Sequence, residues 1–260
     1  MDTTLNDKIL ENIEIEFLNA DLNHLRDEWD HYKYNNQFIP RVTHIIHSCQ
    51  LDSDNLVSWA NKMGKLHKDS EEIKLAAARL GTYVHNALEK YIKNGIEPDI
   101  MAMDIEDWYK NKIITCLEGF KSFWDNYRYK DLIQNVKVEE TLVTPYFGGT
   151  YDLLVSLKDG RNYLYDFKTT NNIRESQFIQ LSAYRYALRA YYNIDLAGCA
   201  ILKIDKYKPY CQEFMVDFSR PENLLFIDQC EKTFISMIYT YYNMIVTRNQ
   251  FNEYRERRLL

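Results

Sequence analysis

Tyr163-Leu164-Tyr165-Asp166-Phe167-Lys168-Thr169-Thr170 is a run of aromatic and aliphatic residues closing on an acid and a lysine two positions apart. Such a run predicts a buried strand. Residues two apart in a strand share a face, so Asp166 and Lys168 point the same way and Phe167 points into the opposite layer. A buried carboxylate and ammonium are unfavourable unless paired or used. Upstream, Gly148-Gly149-Thr150-Tyr151-Asp152-Leu153-Leu154 sets a second acid in another apolar strand. Between them, Leu157-Lys158-Asp159-Gly160-Arg161 suits a hairpin with a three-residue loop and Gly160 in the left-handed position. With Leu157 opposite Arg161, Asp152 falls opposite Asp166, their Cβ atoms roughly 5 Å apart. Like charges directly opposite destabilise a sheet. A divalent cation between them resolves the conflict, because hard cations take oxygen ligands. The rival register, a two-residue Asp159-Gly160 turn, would set Asp152 against Phe167 and separate the acids.

The chain has 260 residues, enough for one sizeable core with or without an accessory helical part. No basic leader precedes an apolar run, and no apolar segment reaches membrane-spanning length, so neither secretion nor a membrane partner is expected. The five cysteines stand singly at 49, 116, 199, 211 and 230, which argues against a disulfide framework, a zinc ribbon or an iron–sulfur cluster. A reducing, cytoplasmic setting is expected. The net charge of −6 argues mildly against a protein that coats nucleic acid by bulk charge, and not against an enzyme with a local basic groove. The 21 tyrosines suit ordinary packing; the functional alternative is stacking against single-stranded bases.

Working outward, residues 1–35 are polar and acidic, with weak helical periodicity from Ile9 to Trp29. Phe38 to Ile46 is β-prone, which argues against a shared ligand face for His44 and His47. Asp54 begins a short helical run to Lys65. A long helix opens at Ser70 as cap, carries Ala77, Leu80, Val84, Leu88 and Tyr91 as its apolar stripe, and ends at Gly95. Gly81, His85 and Glu89 align beside that stripe, Gly81 predicting close approach of another backbone. A lone histidine there is ordinarily a core residue, though imidazole is a competent ligand for manganese and related metals. A second helix spans Ile105 to Tyr129, with Trp108 on its packing face. Residues 136–145 predict a strand, in which Glu139 or Glu140 could face the same site as Asp152. A helix from Glu175 to Tyr192 places Gln180 and Tyr184 one turn apart. Leu196 to Ile204 is the near-continuous apolar run of a central strand, reached by a βαβ crossover. Cys211 to Val216 is one more strand. A terminal helix covers residues 222–248, and the arginine-rich end, Arg255 to Arg258, is expected to fray. The order predicts an α/β fold, a mixed central sheet with helices on both faces. Residues 1–70 would be an N-terminal arm or helical subdomain, and residues 71–260 the core with its C-terminal helix.

Phosphodiester hydrolysis needs a metal to polarise the phosphoryl oxygen and activate water, and a cation for the developing charge. Asp152 and Asp166 would hold the metal, the Phe167 carbonyl could add an oxygen, and His85 and Glu139 would complete the coordination. Lys168 would orient or deprotonate the water, or stabilise the transition state. A lone Asp-x-Lys is weak evidence; a Gly-Gly-Thr-x-Asp hairpin leading into it, below a helix with Gly-x-x-x-His, is far more specific.

These residues resemble the PD-(D/E)XK nuclease superfamily, in its RecB-like branch, and most resemble phage exonucleases and the mitochondrial genome maintenance exonuclease. The likeness rests on Gly81-Thr82-Tyr83-Val84-His85, Glu139, Gly149-Thr150-Tyr151-Asp152, Asp166-Phe167-Lys168-Thr169 and Gln180-Leu181-Ser182-Ala183-Tyr184. Pro40-Arg41-Val42-Thr43 resembles an N-terminal element of the phage proteins. The resemblance implies a restriction-endonuclease-like core. His85, Asp152 and Asp166 would be metal ligands, Glu139 rather than Glu140 the strand acid, and Lys168 the catalytic lysine. Gln180, Tyr184 and Thr169 would position substrate or Lys168. It also implies Mg2+ or Mn2+ as cofactor, DNA ends, often single-stranded, as substrate, and replication, recombination or repair proteins as partners. Some relatives carry a four-cysteine iron–sulfur cluster, whose spacing this chain lacks. Two other functions compete: a nuclease fold that only binds nucleic acid or serves as a structural subunit, and an endonuclease of the same superfamily.

Overall fold

A computed structural model describes residues 32–49 and 53–259. The periodicity from Ile9 to Trp29 lies outside them. The centre is a five-stranded mixed sheet in the order β3-β4-β5-β6-β7. Its strands are β3 (Ile133–Val143), β4 (Gly148–Leu157), β5 (Asn162–Lys168), β6 (Gly198–Ile204) and β7 (Cys211–Asp217). A small hairpin, β1 (Tyr32–Tyr34) and β2 (Gln37–Ile39), precedes them. The helices are α1 (Val42–Ser48), α2 (Ser53–Lys65), α3 (Ser70–Asn94), α4 (Asp107–Asp125), α5 (Glu175–Tyr192) and α6 (Pro221–Leu259). Helices α1, α5 and α6 share a core with one face of the sheet. Helices α3 and α4 share a second core with the other face. This is the α/β restriction-endonuclease-like architecture expected.

The β4–β5 hairpin has the three-residue loop: Leu157 N–H donates to Arg161 O at 2.8 Å, and Gly160 has φ +87°. The ladder runs from Ser156↔Asn162 to Leu153↔Tyr165. Strand β5 then pairs parallel with β6, Asp166 beside Ile201 and Lys168 beside Lys203. On the other side of β4, Val138↔Leu153 and Glu140↔Tyr151 bracket Glu139 and Asp152. Glu139, Asp152 and Asp166 therefore fall on one rung across three adjacent strands.

Side-chain alternation reverses at that rung. Val138 and Leu153 pack with α3 and α4, whereas Leu142 and Tyr151 join the core under α5 and α6. Glu139 has φ +52°, left-handed in mid-strand. A left-handed residue re-aims a strand as a bulge does. The sheet thus splits here and gives side chains access from both layers.

Several expectations need correction. Val42 to Ser48 is helical, not extended: burial of Val42, Ile45 and Ile46, at helical spacing, overrides β propensity. His44 packs edge-on against Tyr241 at 5.5 Å and His47 is exposed. The cap of α3 is Asp69, accepting from Glu71 and Glu72 N–H at 2.8 and 3.2 Å, with Ser70 already in the first turn. Helix α4 stops at Asp125, and Trp108 is exposed while Tyr109 takes the buried position. Helix α6 continues through the arginine-rich end to Leu259, where Arg257 pairs with Glu253 one turn back.

The two glycines of the motif are steric necessities. A Cβ on Gly149 would stand 2.5 Å from the Tyr184 ring, and one on Gly148 2.4 Å from the Tyr32 ring. Gly81 meets no backbone; the nearest atom to an added Cβ is Thr169 Oγ1 at 3.8 Å. Gly81→Ala should therefore stabilise α3 by up to about 1 kcal/mol, the helix-propensity difference between the two residues. Gly149→Ala should destabilise by about 1–3 kcal/mol through overpacking. Urea unfolding midpoints of both variants check the pair.

Candidate metal centre and active site

Each group is delivered by a different element. His85 projects from α3, Glu139 from β3, Asp152 from β4, and Asp166 and Lys168 from β5. Asp152 is buried; its Oδ1 lies 3.1 Å from His85 Nδ1, and its Oδ2 accepts a hydrogen bond from the Phe167 N–H. The side chain of Asp152 thus holds β5 where the backbone ladder has ended. In a strand, N–H and C=O of one residue face the same edge. By that geometry the Phe167 carbonyl shares the Asp152-facing edge of β5 with its N–H. The Phe167 ring packs edge-on against His85 at 5.9 Å.

Glu139 Oε1 lies 3.4 Å from the same His85 Nδ1. One N–H serves one acceptor well, and the shorter contact is Asp152's. Buried Oε1 of Glu139 is left without a hydrogen-bond partner. The ligand atoms of His85, Glu139 and Asp152 all lie within 4.8 Å of one another. A buried orphan oxygen facing a second carboxylate and an imidazole is a donor set that fits a divalent cation. Asp166 stands outside this tightest group. Its Oδ2 is 2.7 Å from Lys168 Nζ, though off the hydrogen-bond line.

The lysine belongs to a relay. Its Nζ donates to Gln180 Oε1 at 3.3 Å, and Gln180 Nε2 donates to Tyr184 Oη at 3.0 Å. Tyr184 is seated on Gly149, so α5 fixes the amine from one layer while α3 fixes His85 from the other. Thr169 follows at the mouth, its hydroxyl facing Gly81. The N-terminal element closes the back: Gly148 N–H donates to Pro40 O at 2.9 Å, and the Tyr32 and Thr150 hydroxyls are 2.9 Å apart. Lys203 is half-buried and level with Lys168 on β6. Its only sequence signal was a charge inside an otherwise apolar central strand.

Electrostatics follow from this crowding. Burial alone would lower the pKa of His85, but the charge of Asp152, its hydrogen bond to His85 and the nearby Glu139 carboxylate raise it to about 10. Burial pushes Asp166 up to about 6, with Lys168 opposing and Asp152 adding to the rise. Burial likewise raises Glu139. Asp152 stays below the usual carboxylate range, because His85 and Lys168 outweigh its desolvation. Lys168 is raised despite burial by Asp166 and Asp152, and so remains an ammonium.

The chain matches the PD-(D/E)XK nuclease superfamily over residues 59–256. It belongs to that superfamily. A metal-dependent nuclease that acts on nucleic acid is what membership implies, and the His85, Glu139, Asp152 cluster suits it. No curated protein matches the chain. The crystal structure of SSO0001 is similar at 12% identity, covering 91% of this chain and 87% of that one, with a TM-score of 0.37. No helix among the described residues is long and apolar enough to cross a membrane.

The raised His85 pKa makes metal and proton competitors. Mn2+ should bind more tightly as pH rises from about 6 to 9, with release of a proton; calorimetry in buffers of different ionisation enthalpy measures it. Without metal, a folded pKa above the unfolded value stabilises fully below about 6.5. That contribution is lost as pH rises towards about 10. His85→Ala should flatten the loss, read as denaturation midpoint against pH.

Proposed function

We propose that this chain is a divalent-metal-dependent exonuclease that hydrolyses DNA from its ends, with single strands preferred, in replication, recombination or repair. It would work in the cytoplasm of a bacterium or phage-infected cell. One observation carries the chemistry: three acids share a rung, with an imidazole above them and a charged lysine beside them. The motif run from Gly81 to Tyr184 supports the finer assignment, through its resemblance to RecB-like phage exonucleases and the mitochondrial genome maintenance exonuclease.

His85, Glu139 and Asp152 would hold Mg2+ or Mn2+, with Asp166 and the Phe167 carbonyl as further oxygens. The metal supplies Lewis acidity toward a phosphoryl oxygen and toward water. The chain's own groups do the rest. Lys168, charged and braced by Gln180 and Tyr184, is suited to orienting the attacking water and neutralising charge on the phosphoryl oxygens. Asp166 keeps that ammonium beside the site. Phe167 and the aromatic layer behind it limit water access and strengthen each charge interaction. Thr169, at the mouth, is placed to contact the strand as it enters.

Lys168→Ala should lower turnover of end-labelled single-stranded DNA in Mg2+ or Mn2+ by at least about a hundredfold, as losing a transition-state charge donor does. Gln180→Ala should show a smaller loss. Closed circular DNA should survive while linear DNA with free ends is degraded. Equal behaviour of wild type and Lys168→Ala would point to a binding role, and cutting of circles to an endonuclease.

A further inference from the structure

The tip of the β6–β7 hairpin, residues 205–210, carries exposed rings that do nothing for its own fold. Its backbone is already specified. Asp205 Oδ1 accepts from the N–H groups of Tyr207 and Lys208 at 2.7 and 3.2 Å, and Asp205 N–H donates to Tyr210 O at 2.9 Å. The hairpin is seated on α4, where a Cβ on Gly119 would stand 2.5 Å from Tyr210 N. Yet Tyr207 is 67% and Tyr210 58% exposed, and Trp108 across on α4 is 52% exposed.

Two of these rings, Trp108 and Tyr207, are joined by lysine. Lys112 Nζ lies 3.6 Å from the Tyr207 ring centre and 5.9 Å from that of Trp108, and Lys206 Nζ lies 5.8 Å from Tyr207. Lys206 has its pKa lowered by burial and by the neighbouring Lys112, while Cys116 and Asp205 oppose the shift. Both amines thus stand beside the Tyr207 ring, a cationic setting that suits an anion. Single exposed aromatic residues need no explanation. Three of them flanking two lysines are the composition of a single-strand stacking surface.

Position ties the patch to the active site. Strand β6 runs parallel to β5 with Lys203 level with Lys168, so the hairpin continues beyond the sheet end that carries the acids. Tyr207 is four residues past Lys203, at most roughly 13 Å farther along the strand direction. On the other flank, contacts run from Trp108 to Tyr109 at 4.9 Å and from Tyr109 to Tyr83 at 5.4 Å. These contacts seat Trp108 on α3, the helix that also carries His85.

We propose that Trp108, Tyr207 and Tyr210, with Lys112 and Lys206, form a stacking platform for the single-stranded nucleic acid adjoining the scissile phosphate. The platform deepens the nuclease function proposed above and rests on it for its substrate. Bases stack on the outer faces of the rings and the lysines neutralise the phosphates between them. Sequence preference is weak, because every base has a π-face.

The test uses the full chain in EDTA, with fluorescence anisotropy of a labelled oligothymidylate of about 12 nucleotides, a length that single-strand sites cover. Tyr207→Ala and Trp108→Ala should each weaken binding about five- to hundredfold, and Tyr207→Phe should restore it. Lys112→Gln and Lys206→Gln should each reduce the slope of log affinity against log salt by about 0.7. Metal-dependent hydrolysis of thymidine 5′-p-nitrophenyl phosphate, too small to reach the hairpin, should be unchanged in all five variants. Unchanged oligonucleotide binding in the alanine variants overturns the platform, and leaves the nuclease standing if the small ester is hydrolysed. Weakened binding in variants of a wild type that hydrolyses neither substrate would keep the platform and overturn the nuclease. Equal loss of the small-ester activity would mean a general structural lesion and would overturn it too.

Discussion

The carboxylate of Asp152 is the joint on which the structure turns. It is buried where the β4–β5 ladder ends, takes the Phe167 N–H as a backbone carbonyl otherwise would, and faces His85 from the opposite layer. A buried carboxylate is tolerable only when such partners surround it. Meeting that need draws β5, α3 and the rung of acids to one point. The same demand explains why the site lies at a split in the sheet rather than on one face.

Two layers then act as independent clamps. The α3–α4 layer holds His85 through the buried Leu80, Val84 and Leu88. The other layer holds Lys168 through Gln180 and Tyr184 on α5. That helix is tied to α6 by Arg185 to Asp228 and Glu231, at 2.8 and 3.0 Å. Replacing one partner of that buried network would leave a charge unpaired. A distant helix therefore bears on the lysine's position through α5.

The central elements were legible because their signals were local and redundant. Alternation, Gly160 and the Asp-Phe-Lys run all favour one register, and Gly95 ends α3 with φ +67°. The misread elements were governed by long-range contacts. Helix α1 forms on β-prone residues because α5 and α6 bury its apolar side. Trp108 reads as core by periodicity, yet its neighbour Tyr109 meets Tyr83. The choice of Glu139 over Glu140 could not come from spacing. It depends on a backbone angle that reverses alternation, and no pattern in the chain encodes that angle. The two glycines differ: Gly149 makes room for a ring, whereas Gly81 has room for a methyl group at ordinary contact with Thr169.

Glu139 holds a left-handed conformation that favours glycine or asparagine, in the middle of a paired strand. Such a residue carries a penalty of about 1–3 kcal/mol. Fold selection alone would replace it, and each replacement would remove an oxygen from the rung. Stability and chemistry pull in opposite directions at this position. A variant library sorted for thermal resistance would drift toward glycine here and lose the acid, so durability would rise as the proposed reaction faded.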